Sequence, residues 1–166
     1  DTVLADYLIG AVEAFAPYAQ DTILQRLIGH CRDRFYLVGL EPYVIRKPKD
    51  EAGELVWRIG RLRDAVLLHA GQSPYREFPL AWVLRHLEPM AVTINEVRRF
   101  PIRYRKRFID GQLDLCVRRL PRVRDAALRQ ALEQHVEALR AEAHEAEERL
   151  GGLRCGFDYV IDASVQ

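Results

Sequence analysis

Apolar residues recur at three- and four-residue spacing along most of the chain, the period of a helix that buries one face. Val3, Leu4, Tyr7, Leu8, Ala11, Val12 and Phe15 make the first stripe. Pro17 predicts its end, because proline lacks an N–H and clashes with the preceding turn. Asp21 is placed to cap a second helix, with Leu24, Leu27, Ile28, Cys31 and Phe35 on one side. Residues 39–53 gather Gly39, Pro42, Pro48 and Gly53 around the run Arg46-Lys47-Pro48-Lys49-Asp50, and read as a loop. Leu55, Ile59, Leu62, Val66 and His69 then share a helical face that Gly71 should terminate.

Leu80, Val83, Leu84 and Leu87 predict a short helix, and Pro89 opens another with Met90, Ile94 and Val97 inward. Leu113, Cys116, Val117 and Leu120 form one more face. Pro121 suits the first position of the longest helix, residues 121–150, whose seam is Leu128, Leu132, His135, Leu139, Ala146 and Leu150. Alternating, β-branched and aromatic character is clear only in Phe157-Asp158-Tyr159-Val160-Ile161-Asp162, within an extended tail 153–166. No partner strand is evident, so this segment reads as an arm or as a strand added to another chain. The pattern therefore predicts an all-α fold: an irregular bundle of six or seven helices with a short C-terminal extended or strand segment, residues 1–166 forming a single helical domain.

Length and composition fit that picture. A chain of 166 residues, 49% hydrophobic and 30% charged, is globular in character. The formal charge of +1 provides no global field toward nucleic acid or membrane, so such binding would need a local patch. Cys31, Cys116 and Cys155 lie far apart, outside any CxxC pair or histidine cluster, which predicts neither a disulfide framework nor a zinc site. A reducing, cytoplasmic setting is the expectation, without membrane insertion. Phosphate-loop, dinucleotide, G-x-S-x-G and HExxH motifs do not occur, so neither a cofactor nor a metal is expected.

One local patch does stand out. The segment RRFPIRYRKR places Arg98, Arg99, Arg103, Arg105, Lys106 and Arg107 in ten residues, with Phe100, Tyr104 and Phe108 interleaved at four-residue spacing. Cations at this density can hold successive phosphates, and a ring such as Tyr104 can stack on an unpaired base. The same spacing also fits a core stripe backed by a solvated basic face, neutralised by the six glutamates between Glu133 and Glu148. The binding reading makes the chain a helical interaction module of a larger assembly. It engages a nucleic-acid backbone or an acidic protein surface through Arg98, Arg99, Arg103, Tyr104, Arg105, Lys106 and Arg107, with a homo-oligomer or larger complex as its context. A purely structural helical subunit is the alternative in which those cations are satisfied internally.

A second motif is Arg63-Asp64-Ala65-Val66-Leu67-Leu68-His69. It resembles the signature of the HEPN family of helical domains, in which an arginine is followed four to six residues later by a histidine at a helix end. The resemblance implies a metal-independent ribonuclease. In that reading His69 takes part in attack of a ribose 2′-hydroxyl on phosphate, and Arg63 stabilises the developing charge.

Overall fold

The computed structural model describes residues 1–13, 15–74 and 76–165; Gln166, the last residue of the predicted tail, lies outside them. Its elements in order are β1 (Val3–Asp6), α1 (Leu8–Val12), α2 (Gln20–His30), β2 (Arg34–Leu40), α3 (Glu51–His69), α4 (Leu80–Leu87), β3 (Val92–Tyr104), α5 (Lys106–Arg119), α6 (Ala126–Leu150) and β4 (Leu153–Val165). The four strands form one sheet in the order β1-β2-β4-β3. The all-α expectation is thereby corrected: this is a mixed α/β chain. The chain divides into two compact units, one made of Asp1–Pro42, Tyr75–Pro101 and Gly156–Gln166, the other of Tyr43–Pro74 and Ile102–Cys155.

The first unit holds most of the sheet. β1 and β2 run parallel, with Val3 opposite Phe35 and Asp6 opposite Val38. Parallel neighbours need a crossover, and α1 and α2 supply it between Asp6 and Arg34. β2 is antiparallel to β4, with Arg34 opposite Ser164 and Leu40 opposite Asp158. The tail strand thus finds its partner within its own chain. Along β2 buried residues alternate with half-buried ones, Phe35, Leu37 and Gly39 facing inward. That face packs with Ala5, Ile9, Leu24, Ile28, Leu80, Val83, Leu87, Tyr159 and Ile161 into one core.

Two predicted helices are strands here, for one physical reason. Residues four apart share a face on a helix, about 40° off register, and also share a face on a strand, whose period is two. Ile94 therefore falls in a strand although its spacing suits a helix, and so does the pair Phe100 and Tyr104. Phe108 instead belongs to α5. The first stripe divides similarly. Val3 and Leu4 pair in β1, Tyr7 takes a left-handed backbone (φ 48), and a five-residue helix follows. The second stripe ends at His30; Cys31 turns extended, and Phe35 belongs to β2.

The second unit is helical. α3, α5 and α6 pack around Leu55, Ile59, Leu62, Val66, Ile109, Leu113, Val136, Leu139 and Ala143. Asp50 caps α3 by accepting the Gly53 N–H at 2.8 Å. Pro121 lies in a 3-10 turn, Leu120–Arg122, and Asp125 caps α6 by accepting the Leu128 N–H at 2.8 Å. Gly151 closes α6 in the left-handed region (φ 66), as a glycine beyond a helix end commonly does. Among the described residues, no helix is long and apolar enough to cross a membrane.

Candidate functional site

In open α/β sheets, ligands bind beyond the carboxyl ends of parallel strands. In the first unit those ends are Asp6-Tyr7 after β1 and Leu40-Glu41 after β2. Polar side chains converge there. Tyr7 anchors its backbone N–H on the Val38 carbonyl at 3.0 Å, and its phenol donates to Asp158 on β4. Glu41 donates its backbone N–H to the Phe157 carbonyl at 3.0 Å, while its carboxylate Oε2 accepts the Leu80 N–H at 2.9 Å, at the start of α4. Glu77 brings a third carboxylate close to α1. A Cβ placed on Gly10 would sit 2.7 Å from Glu77 Cδ, so only a glycine lets that group approach the helix backbone. Gly39 does the same for Tyr159, whose hydroxyl donates to the Phe78 carbonyl at 2.8 Å.

The electrostatics follow from burial and from the collected negative charge. Tyr7 is pushed up to about 12, first by burial and then by its bond to Asp158 and the nearby Asp6 and Glu77 carboxylates. Tyr159 is raised too, by burial and by Glu77 and Glu41. Burial lifts Asp158 above the usual carboxylate range, opposed by the hydrogen bond from Tyr7. A carboxylate can accept about four hydrogen bonds, so Glu41 and Asp158 retain acceptor capacity beyond the bonds just described. The edge can thus receive hydroxyl or ammonium donors. Among the described residues, no group of three or more His, Cys, Asp or Glu is placed to hold a metal ion.

The structure places the sequence-predicted residues elsewhere. Arg98 and Arg99 lie on β3 in the first unit; Arg98 Nε pairs with Glu96 at 2.7 Å and Arg99 lies over the Phe157 ring at 5.5 Å. Arg103 donates to the Gly151 carbonyl at 3.1 Å and Arg105 pairs with Glu147 of α6 at 3.3 Å. Tyr104 is buried, its ring 4.0 Å from Phe108 and 6.0 Å from Tyr43 between centroids. Lys106 and Arg107 are exposed on the first turn of α5. The basic run is therefore spread over a strand and a helix start, in both units, rather than along one helical face.

Arg63 and His69 are not brought together. Arg63 is buried, donating to Asp64 at 2.8 Å, Gln112 at 2.9 Å and the Tyr43 hydroxyl at 3.3 Å. His69, the last residue of α3, is exposed. Six helical residues separate their directions by about 120°.

Sequence reasoning misses Tyr7, Gly10, Glu41, Glu77 and Asp158. Two signals were present. The alternation of Phe35, Leu37 and Gly39 marks a strand that ends in Glu41-Pro42, and Gly10 stands where an apolar stripe would take a larger residue.

No protein-family profile matches the chain. No curated protein sequence matches it. Among solved structures, the chain is similar to a putative methyltransferase from Bacillus halodurans, with 14% identity and a TM-score of 0.49. The match covers 98% of this chain and 63% of that one, so the chain spans less than two thirds of that protein's length. At this similarity no activity passes from one protein to the other. The expectation of a helical module that grips anions through an arginine patch, with its ribonuclease and helical-scaffold alternatives, is corrected. The sheet removes the helical face that reading required, and Arg98 and Arg105 already meet carboxylates.

Proposed function

We propose that the first unit is a small-molecule-binding α/β domain whose ligand sits at the carboxyl ends of β1 and β2 and is held through hydroxyl or ammonium groups. One observation carries this reading: Tyr7, in a left-handed backbone conformation, aims its phenol at the half-buried Asp158 carboxylate, beside Glu41 and Glu77. A non-glycine residue with positive φ costs free energy and gathers at ligand sites, and titratable groups displaced by burial do likewise. The carboxylates supply acceptors, and the glycine at position 10 lets one of them lie against the crossover helix. The three thiols, Cys31, Cys116 and Cys155, are unpaired, which supports a reducing compartment for the working protein.

A thermal-shift screen with polyols, nucleosides and polyamines tests the proposal, on the wild-type chain and on Asp158→Asn and Tyr7→Phe. The expected result is a compound that raises Tm in the wild type and loses most of that effect in both variants. A stabilising compound whose effect survives both substitutions, or a panel without effect at millimolar concentration, would overturn it.

A further inference from the structure

The strand order β1-β2-β4-β3 leaves β1 and β3 at the two rims of the sheet. β1 is blunted by its length of four residues, whereas β3 runs for thirteen, longer than most strands. A bare rim is a row of N–H and C=O groups ready to pair with another chain, and sheets usually keep such edges short or guarded. Asn95 ties β3 to β4, its side chain donating to Asp162 at 3.2 Å and to Ser164 at 2.9 Å. On its other side β3 has no strand among the described residues. Ile94, Asn95, Glu96, Arg98, Arg99 and Phe100 are exposed, and between them Val97 is half-buried.

We propose that the rim of β3 pairs antiparallel with β3 of a second copy, so that the sheet continues through a two-fold axis beside Val97. The order of residues along the strand selects that partner. When Val97 lies opposite its own copy, residues equally far on either side of it face one another. Glu96 then meets Arg98 of the other copy, Asn95 meets Arg99, and Ile94 meets Phe100, each pair formed twice. Opposite charges and aromatic–aliphatic pairs stabilise antiparallel strands, and like charges in the same place oppose them. Moving the axis one residue either way sets Glu96 against Glu96 or Arg98 against Arg98, so a single register is favoured. Within one chain Arg98 and Glu96 already touch at 2.7 Å, with 65% and 51% of their side chains still exposed. Two copies would close these four groups into a square of alternating sign without breaking either contact. A rim guarded by charges of one sign would repel its own copy. This rim matches it by symmetry, whereas an unrelated strand would match that order of charges only by accident.

The test is sedimentation of the full chain from ~1 to ~100 µM, a range that reads micromolar affinity. Wild type is expected to pass from monomer to dimer. Glu96→Arg and Arg98→Glu each set like charges across the axis and are expected to weaken the dimer at least about tenfold. Mixed in equal amounts, the two variants should dimerise with each other, because one brings only cations to the axis and the other only acids. The double variant Glu96→Arg/Arg98→Glu restores the alternation and should dimerise as wild type does. Both positions are exposed, and circular dichroism verifies that each variant folds. Should one fail to fold, hydrogen exchange on the wild type decides: amides within residues 94–100 gain protection as concentration rises. A chain that stays monomeric to ~100 µM, folded single variants that dimerise as tightly as wild type, a mixture or double variant no tighter than the single variants, or protection that ignores concentration would overturn the proposal.

Discussion

Gly39 is the position where the fold's packing can be tested by a single methyl group. Its backbone is ordinary extended strand, without the positive φ of Gly71, Gly151, Gly152 and Gly156, so alanine brings no backbone strain there. The constraint is steric. A Cβ at residue 39 would lie 2.8 Å from Cε2 of Tyr159, and closer still to Cζ and Oη. Tyr159 is 1% exposed and its hydroxyl is held by the Phe78 carbonyl at 2.8 Å, so the ring has no free direction in which to retreat. Overpacking a core costs about 1–3 kcal/mol, and losing the buried phenol's hydrogen bond adds about 1 kcal/mol. Gly39→Ala should therefore destabilise the chain by about 2–4 kcal/mol.

Urea unfolding followed by far-UV circular dichroism measures this, with Gly29→Ala as the control. Gly29 lies in α2 with nothing within 4 Å of an added Cβ, so alanine there should be neutral or stabilising, by up to about 1 kcal/mol. Pairing Gly39→Ala with Tyr159→Leu should recover part of the loss, because contacting residues are not additive. If Gly39→Ala unfolds at the wild-type midpoint, the close approach of β2 to the Tyr159 ring is wrong.

Two further predictions follow from the titratable groups and the buried arginine. Tyr7 and Tyr159 have raised pKa values in the folded chain, so their contribution to stability is complete below pH 10, the unfolded value. It is lost as pH rises, for Tyr7 through about 12. Chemical denaturation at pH 9, 10, 11 and 12 should show stability falling across that window and a shallower fall in Tyr7→Phe; equal slopes would contradict the arrangement around Asp158. Arg63→Ala should cost about 1–3 kcal/mol, since it leaves the half-buried Asp64 and Gln112 without their shared donor, whereas the exposed His69→Ala should stay within about 0.5 kcal/mol. Comparable losses from both would argue that the two residues act together.

Local periodicity made part of this architecture legible. Leu55, Ile59, Leu62 and Val66 line up on α3 as their spacing requires, and all four are buried. Leu80, Val83 and Leu87 do the same on α4. What local pattern could not reveal is pairing between distant segments. β1 has only four residues, and its partner β2 begins at Arg34, beyond two helices. β3 carries a spacing that helix and strand share, and its β-branched Val92, Thr93, Ile94 and Val97 favour the strand only when β4 is beside it. The candidate site was hidden for the same reason. Tyr7, Glu41 and Asp158 are separated along the chain and meet through the sheet's register, and Glu77 joins them from the segment before α4. The basic run was conspicuous because it is contiguous, and contiguity says little about which groups the fold leaves together.

The site at the carboxyl edge is most directly tested by mapping amide chemical shifts of the isotope-labelled chain during titration with the compound that gives the largest thermal shift. Saturable changes centred on Tyr7, Gly10, Glu41 and Asp158 are the predicted result. Changes centred on residues 98–107 instead, with the β1 and β2 ends unmoved, would contradict it.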